Sequence, residues 1–172
     1  MGLLKLVADT FKMPKAVRAS LYPINHSKFR GICYKFKLKH CGWGTTIDKY
    51  VNIKLGHNLS VGEYCTLNSF IHIWAGKAGV VIGDRVMIAS HVAITSLTHD
   101  YTLLDMRFAP AIDKPVFIAD DVWVGAHAVI MPGVSIGKGA VIGSGSVVTK
   151  DVPENAIAVG VPAKIVKFRN YN

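Results

Sequence analysis

The chain has 172 residues, 51% of them hydrophobic, which is long and apolar enough for one domain with a buried core and unlike a disordered segment. Its net charge of +9 sits at one end: residues 1–54 carry eleven Lys or Arg against Asp9 and Asp48, while the remainder carries nine of each sign. A basic end on a neutral body is either a solvated face or the mark of an anionic partner, a phosphorylated ligand or a membrane surface ahead of nucleic acid.

In chain order, Leu3, Leu6, Val7 and Phe11 fall on one helical face, with Lys5 and Lys12 off it, and Pro14 stops the run. A second run with Val17 and Leu21 ends at Tyr22-Pro23, and Tyr34-Lys35-Phe36-Lys37-Leu38-Lys39 alternates with period two, which predicts an edge strand. Residues 1–46 therefore read as a basic, partly helical and partly extended leader. Three roles stay open for it: capping the remainder of the chain, lying on a membrane, or holding a phosphate. Lys5, Asp9 and Lys12 interrupt the first apolar run, so no secretion signal is expected. No apolar segment approaches transmembrane length. The expected location is cytoplasmic, with peripheral contact at the inner membrane face. Cys33, Cys41 and Cys65 are odd in number and lack metal spacing, so neither a disulfide framework nor a zinc site is expected.

From residue 47 a different pattern takes over. Ile118, Val124, Ile130, Ile136, Ile142 and Val148 recur every six residues, with Gly125, Gly137 and Gly143 directly after three of them. Four positions after each aliphatic come Val122, Ala128, Val134, Ala140, Ser146 and Val152, all small or β-branched. Six is neither the helical nor the plain strand period, and predicts short strands joined at corners, stacked coil on coil as a parallel β-helix. The phase extends back through Ile94, Ile88, Ile82, Ile73, Leu67, Val61, Ile53 and Ile47 with shifts of register. At about 18 residues per coil, residues 47–153 hold roughly five coils, within a domain that runs over 47–169. Glycines at corners are expected to supply positive φ and close backbone approach.

Between Ile94 and Val116 the rule fails, and residues 96–115 read as a loop thrown out of the solenoid. Breaks in a regular scaffold tend to carry function. His99 stands at the root of this loop, and an imidazole there has the chemistry of a general base for a hydroxyl attacking an ester or thioester. His91 and His127 hold the same place in their hexads and stack if the loop is set aside. A metal would need a third donor, so none is expected there. Cys65 occupies an inward small position and reads as core.

The segments Val122-Trp123-Val124-Gly125, Gly143-Ser144-Gly145-Ser146 and Gly160-Val161-Pro162-Ala163-Lys164 resemble the hexapeptide-repeat acyltransferases. The likeness runs over residues 47–169. It is greatest to sugar O-acetyltransferases of the maltose and galactoside type, and Thr98-His99-Asp100-Tyr101 is similar to enzymes that decorate exopolysaccharides and O-antigens. The resemblance implies an all-β, left-handed parallel β-helix and an acetyl-CoA-dependent O-acetyltransferase acting on a sugar hydroxyl in cell-surface polysaccharide synthesis. It implies His99 as general base in direct transfer, with Asn68, Asp100 and Tyr101 on the acceptor side. On the coenzyme side it implies Trp123 beside pantetheine, backbone groups of Ala126 and Ser144, then Thr149 and Lys150, with Lys164 and Lys167 near the phosphates. It further implies a homotrimer with sites between subunits and no required metal. The leader has no counterpart of the family's acceptor-binding acidic and arginine residues, so the acceptor stays open, a phosphate-bearing or lipid-linked saccharide suiting the basic charge.

Other readings share parts of this pattern. A nucleotide-sugar N-acetyltransferase or a xenobiotic acetyltransferase would use the same solenoid and base. A γ-carbonic anhydrase shares the fold but needs three zinc histidines, which the spacing of His91, His99 and His127 matches poorly. A non-enzymatic scaffold would make the register of His99 with Trp123 accidental.

Overall fold

The structure, a computed structural model, describes residues 33–170; the helical runs expected over 3–13 and around Val17 lie outside the described residues. The first coil comprises β1 (His40–Cys41), β2 (Thr46–Ile47) and β3 (Asn52–Lys54). The second has β4 (Leu59–Val61), β5 (Thr66–Leu67) and β6 (His72–Trp74), and the third β7 (Val80–Ile82), β8 (Met87–Ile88) and β9 (Ala93–Thr95). An arm comes next, built from β10 (Leu97–His99) and β11 (Ala111–Asp113). The fourth coil has β12 (Val116–Ile118), β13 (Trp123–Val124) and β14 (Val129–Ile130), and the fifth β15 (Ser135–Ile136), β16 (Val141–Ile142) and β17 (Val147–Val148). The chain leaves through β18 (Ala156–Val159) and β19 (Lys164–Phe168).

Each coil contributes one strand to each of three parallel sheets: β1-β4-β7-β12-β15 forms sheet A, β2-β5-β8-β13-β16-β18 sheet B, and β3-β6-β9-β14-β17 sheet C. Only β19 reverses, pairing antiparallel with β18 at the end of sheet B. The result is the expected left-handed parallel β-helix of about five coils. Successive coils bond through their backbones, as in Trp123 N–H to the Ala140 carbonyl at 3.0 Å and Met87 N–H to that of Val122 at 2.9 Å. The bonding fixes register, so Ile47, Leu67, Ile88, Val124 and Ile142 stand above one another on the inner side of sheet B, all buried. A fully buried aliphatic of this kind is worth about 1.5–3 kcal/mol. Val122, Ala128, Val134, Ala140, Ser146 and Val152 line the interior as expected, and the Ser146 hydroxyl is satisfied by accepting the Gly160 N–H at 3.0 Å.

Several expectations change. The solenoid begins at His40, inside the segment read as leader, because β1 already pairs with β4. Residues 34–39 are not an edge strand: Leu38 N–H and Lys37 N–H both donate to the Tyr34 carbonyl at 2.9 Å, a helical turn that leaves Phe36 88% exposed while Leu38 is buried. The first coils exceed the roughly 18 residues of three hexads, since Ile47 pairs with Leu67 and Leu67 with Ile88. The extra residues sit at the corner after sheet C, in a 3-10 turn at Gly56–Asn58 and in residues 75–79. The glycines after the aliphatics serve close approach alone: a Cβ on Gly125 would lie 2.6 Å from the Ser144 nitrogen, and one on Gly137 2.5 Å from that of Glu154. Positive φ falls two residues later, at His127, Gly139 and Gly145.

The excursion is more ordered than a loop, being a two-stranded antiparallel ribbon at its root, with Thr98 opposite Ile112 and His99 opposite Ala111. Its exit is tied down on both sides. Ser96 N–H donates to the Trp74 carbonyl at 3.0 Å, Lys114 N–H to that of Ser96 at 2.8 Å, and Lys77 N–H to Asp113 Oδ1 at 3.0 Å. Gly76 makes this possible, because a Cβ there would collide with the Asp113 carboxylate and reach 2.5 Å from Ser96 Oγ. No helix among the described residues is long and apolar enough to cross a membrane.

This packing sets two expected outcomes. Gly76→Ala should cost about 1–3 kcal/mol of stability by overpacking, measured by denaturant unfolding, and should accelerate amide exchange at Leu97–His99. Cys65 and Cys41 are buried, and desolvation pushes both thiols up from their ordinary range, whereas Cys33 is exposed. Ellman titration of the native chain should therefore register Cys33 rapidly and the other two only on unfolding.

Candidate active site

His99 ends β10, where the ribbon holds its backbone and its ring stays exposed. The ring's Nδ1 lies 3.3 Å from the Ala109 carbonyl oxygen. A carbonyl only accepts, so in the neutral ring Nδ1 carries the hydrogen and Nε2 keeps its lone pair. That tautomer can take a proton from an incoming hydroxyl. Asp100, next along, is turned into its own loop: Oδ1 accepts from Thr102 N–H at 3.0 Å and Thr102 Oγ1–H at 2.6 Å. These two bonds hold its carboxyl below the usual carboxylate range. Its role in this fold is to shape the turn that leaves the ribbon, and Tyr101 beyond it is 85% exposed.

Thr149 and Lys150 come after β17 on the same side of the solenoid as the arm, both exposed, because β9, β14 and β17 are successive strands of sheet C. The remaining predicted residues lie elsewhere. Asn68 comes directly after β5 at the corner between sheets B and C; its N–H donates to the Ile88 carbonyl at 3.0 Å, and its side-chain amide has no hydrogen-bond partner among the described residues. Ala126 and Ser144 occupy that corner on adjacent coils. The Ala126 carbonyl is taken by Gly145 N–H at 2.8 Å, and the N–H groups of Ala126 and Ser144 have no acceptor among the described residues. Two donors one coil apart, about 4.8 Å, suit the carbonyls of an extended pantetheine arm. Trp123 faces outward from sheet B, 51% exposed, between Met87 and Val141. Along the same sheet Val141 pairs with Ile157 and Ile157 with Lys167, while Lys164 faces Val159, so both lysines flank the tryptophan's face.

The predicted residues thus form two groups. His99, Asp100, Tyr101, Thr149 and Lys150 stand where sheet C turns toward sheet A. Asn68, Trp123, Ala126, Ser144, Lys164 and Lys167 stand on sheet B and its corner with sheet C. Within one chain the width of sheet C separates them. A groove of about 770 Å³ belongs to neither group. It lies on sheet A against Val81, Phe117 and Pro153, and its polar lining is Ser135, Asp151 and Glu154, with no histidine.

Two features went unread in the sequence. The Ala109 carbonyl that sets the histidine tautomer has no side-chain signature. The predicted stack of His91 on His127 is present, with ring centroids 4.7 Å apart, but it is half of a longer ladder: Phe70 stacks on His91 at 4.9 Å and Tyr50 on Phe70 at 5.0 Å. All four residues have positive φ at the same corner, and each stands three positions after an inward aliphatic, Ile47, Leu67, Ile88 or Val124, which was the available signal. No cluster of three metal-ligating side chains occurs among the described residues.

Residues 115–150 match the family model described as bacterial transferase hexapeptide (six repeats). The chain is 33% identical over 155 residues to the galactoside O-acetyltransferase of Escherichia coli (strain K12), covering 87% of this chain and 76% of that enzyme. It is 38% identical over 114 residues to a second protein of that strain, provisionally named a lipopolysaccharide biosynthesis O-acetyl transferase; the match covers 61% of this chain and 58% of that protein, little more than half its length. Among solved structures, a hexapeptide-repeat-containing acetyltransferase of Vibrio cholerae complexed with acetyl coenzyme A superposes with a TM-score of 0.77 at 29% identity, covering 81% of this chain and 75% of that one. With the stacked coils and these relatives together, the chain belongs to the hexapeptide-repeat acyltransferases and is an acetyl-CoA-dependent enzyme.

Proposed function

We propose that the chain moves an acetyl group from acetyl-CoA to a sugar hydroxyl during synthesis of a cell-surface polysaccharide, at the cytoplasmic face of the membrane. The observation that carries this reading is the tautomer set by Ala109, which leaves Nε2 of an exposed histidine free to act as a base. In the proposed step Nε2 takes the hydroxyl proton as the oxygen attacks the thioester carbonyl. The C–O bond forms, the tetrahedral oxyanion collapses, the C–S bond breaks, and the imidazolium returns its proton to the departing thiolate. The N–H groups of Ala126 and Ser144 hold the pantetheine arm, Trp123 packs beside it, and Lys164 and Lys167 neutralise phosphate as point charges. Asn68 and Tyr101 face the acceptor. Asp100 contributes by holding the turn that presents His99.

The division of these residues between two sides of sheet C supports a homotrimer, in which the arm side of one solenoid meets the sheet B side of the next. A provisional lipopolysaccharide-synthesis relative and the basic N-terminal end support an acceptor that carries phosphate or is lipid-linked. A cysteine route has no support, since Cys65 is buried with its thiol pointed at the Gly83 carbonyl, 3.0 Å away.

Free-thiol release from acetyl-CoA, measured against a panel of mono-, oligo- and nucleotide sugars, tests the reading. Acceptor-dependent release should fall about 10²–10⁴-fold in His99→Ala while coenzyme binding by calorimetry is retained. Full activity in that variant, or amine acceptors serving where hydroxyls do not, would overturn it. Sedimentation equilibrium should return the mass of three chains; a monomer with full activity would refute the shared site.

A further inference from the structure

We propose that the N-terminal end of the solenoid is a docking surface for a membrane carrying anionic headgroups. Residues 33–58, the turn and first coil, hold Lys35, Lys37, Lys39, Lys49 and Lys54 against the single acid Asp48. All five lysines are exposed, and none is paired with a carboxylate among the described residues, where the ion pairs belong to Arg85. Beyond residue 58 the charges balance in sum, the acidic middle coils offsetting a smaller basic excess over residues 138–170, where Lys138, Lys150, Lys164, Lys167 and Arg169 stand against Asp151 and Glu154.

The lysines are distributed around that end rather than gathered in a cleft. Lys35 lies 5.0 Å over the ring of Trp43 at the corner between sheets A and B. Lys49 adjoins Tyr50 at the corner between sheets B and C. At the third corner Lys54 lies 4.4 Å over the ring of Trp74, with exposed Leu55 beside it. Exposed aromatic side chains accompany the charges: Tyr50 is 70% and Trp43 63% exposed, and Phe36 stands free on the preceding turn. A rim of lysine with tryptophan, tyrosine and phenylalanine fits the headgroup layer, where ammonium groups meet phosphate and amphipathic rings sit at the interface. A nucleic acid would call for a groove tracking one backbone. The sequence that enters this end adds Leu3, Leu6, Val7 and Phe11 at helical spacing among further lysines, the pattern of an interfacial segment.

This deepens the acceptor reading and rests on it for its purpose, since a lipid-linked saccharide is met at such a surface. In the proposed trimer three parallel solenoids turn three rims to one side, which multiplies a weak attachment. The docking itself is measured without any acceptor.

The full chain is floated with vesicles of mixed phosphatidylglycerol and phosphatidylcholine, and with pure phosphatidylcholine. Binding is expected to the anionic vesicles and to weaken as salt shortens the Debye length. Replacing Lys39→Gln and Lys49→Gln together should lower partitioning about 25-fold, near five-fold per lysine. The charge-matched pair Lys114→Gln and Lys138→Gln, on later coils, should change it less than about two-fold. Both variants should keep thiol release with a free sugar acceptor. Equal loss in the two pairs, equal binding to neutral vesicles, or binding to duplex DNA with none to vesicles would overturn the proposal. Vesicle binding without transfer to any saccharide would leave it standing and refute the acceptor reading instead.

Discussion

The parallel backbone ladder between coils governs everything else in this molecule. Because each strand bonds to the one a full turn earlier, a side chain's surroundings are set by the residues one coil above and below it rather than by its sequence neighbours. Ile130 rests between Ile94 and Val148, and any shift of register would move a whole column of aliphatics from the axis to the surface. Rigidity of this kind has a chemical use. An arm anchored between such coils, at Ser96 and Lys114, is held by a frame bonded coil to coil, so a single carbonyl at Ala109 can orient an imidazole on it.

A straight, regular prism also has a limitation: it has faces and corners but no interior able to hold a substrate. The core is filled by side chains, leaving no room for a ligand among them. Reactive groups must then gather on the outside, and the two clusters found here stand on opposite sides of sheet C. Bringing them together needs a second surface, which is why subunit association and the shared site are one proposal. The ion pair at another corner, with Arg85 Nε 2.7 Å from Asp121 Oδ1, shows the same geometry serving only structure, since residues at equivalent places in successive coils are automatically neighbours.

Legibility obeyed the same logic. The inward positions were readable because three converging walls admit only a narrow range of side chains, and Val122 through Val152 obey that limit. The alternation of Tyr34 to Lys39 misled because lysine between apolar residues is equally compatible with a strand edge and with a helical turn at a solenoid mouth; only the bonding of Leu38 and Lys37 to Tyr34 separates them. The ribbon of the arm escaped notice because three-residue strands carry too little periodicity to register. The place of His99 at the root of the arm was legible from the break in the hexads, whereas Asp100 was expected toward the acceptor and is occupied by Thr102, a local hydrogen bond that no spacing rule reveals. Trp123 and Lys167 were assigned separately, and only strand pairing through Val141 and Ile157 puts them on one face.

The reversal at β19 has a meaning of its own. A ladder of parallel coils has no intrinsic length; each finished coil presents a fresh row of donors and acceptors that would accept another chain as readily as its own continuation. By folding back along β18, the last strand covers that row of sheet B, and the edge it then shows carries Lys164 and Lys167, charges that discourage end-to-end growth. In the proposed site the same two lysines meet the coenzyme phosphates. Under that proposal solubility and ligand recognition are written into the same side chains, so selection on one cannot proceed without constraint from the other.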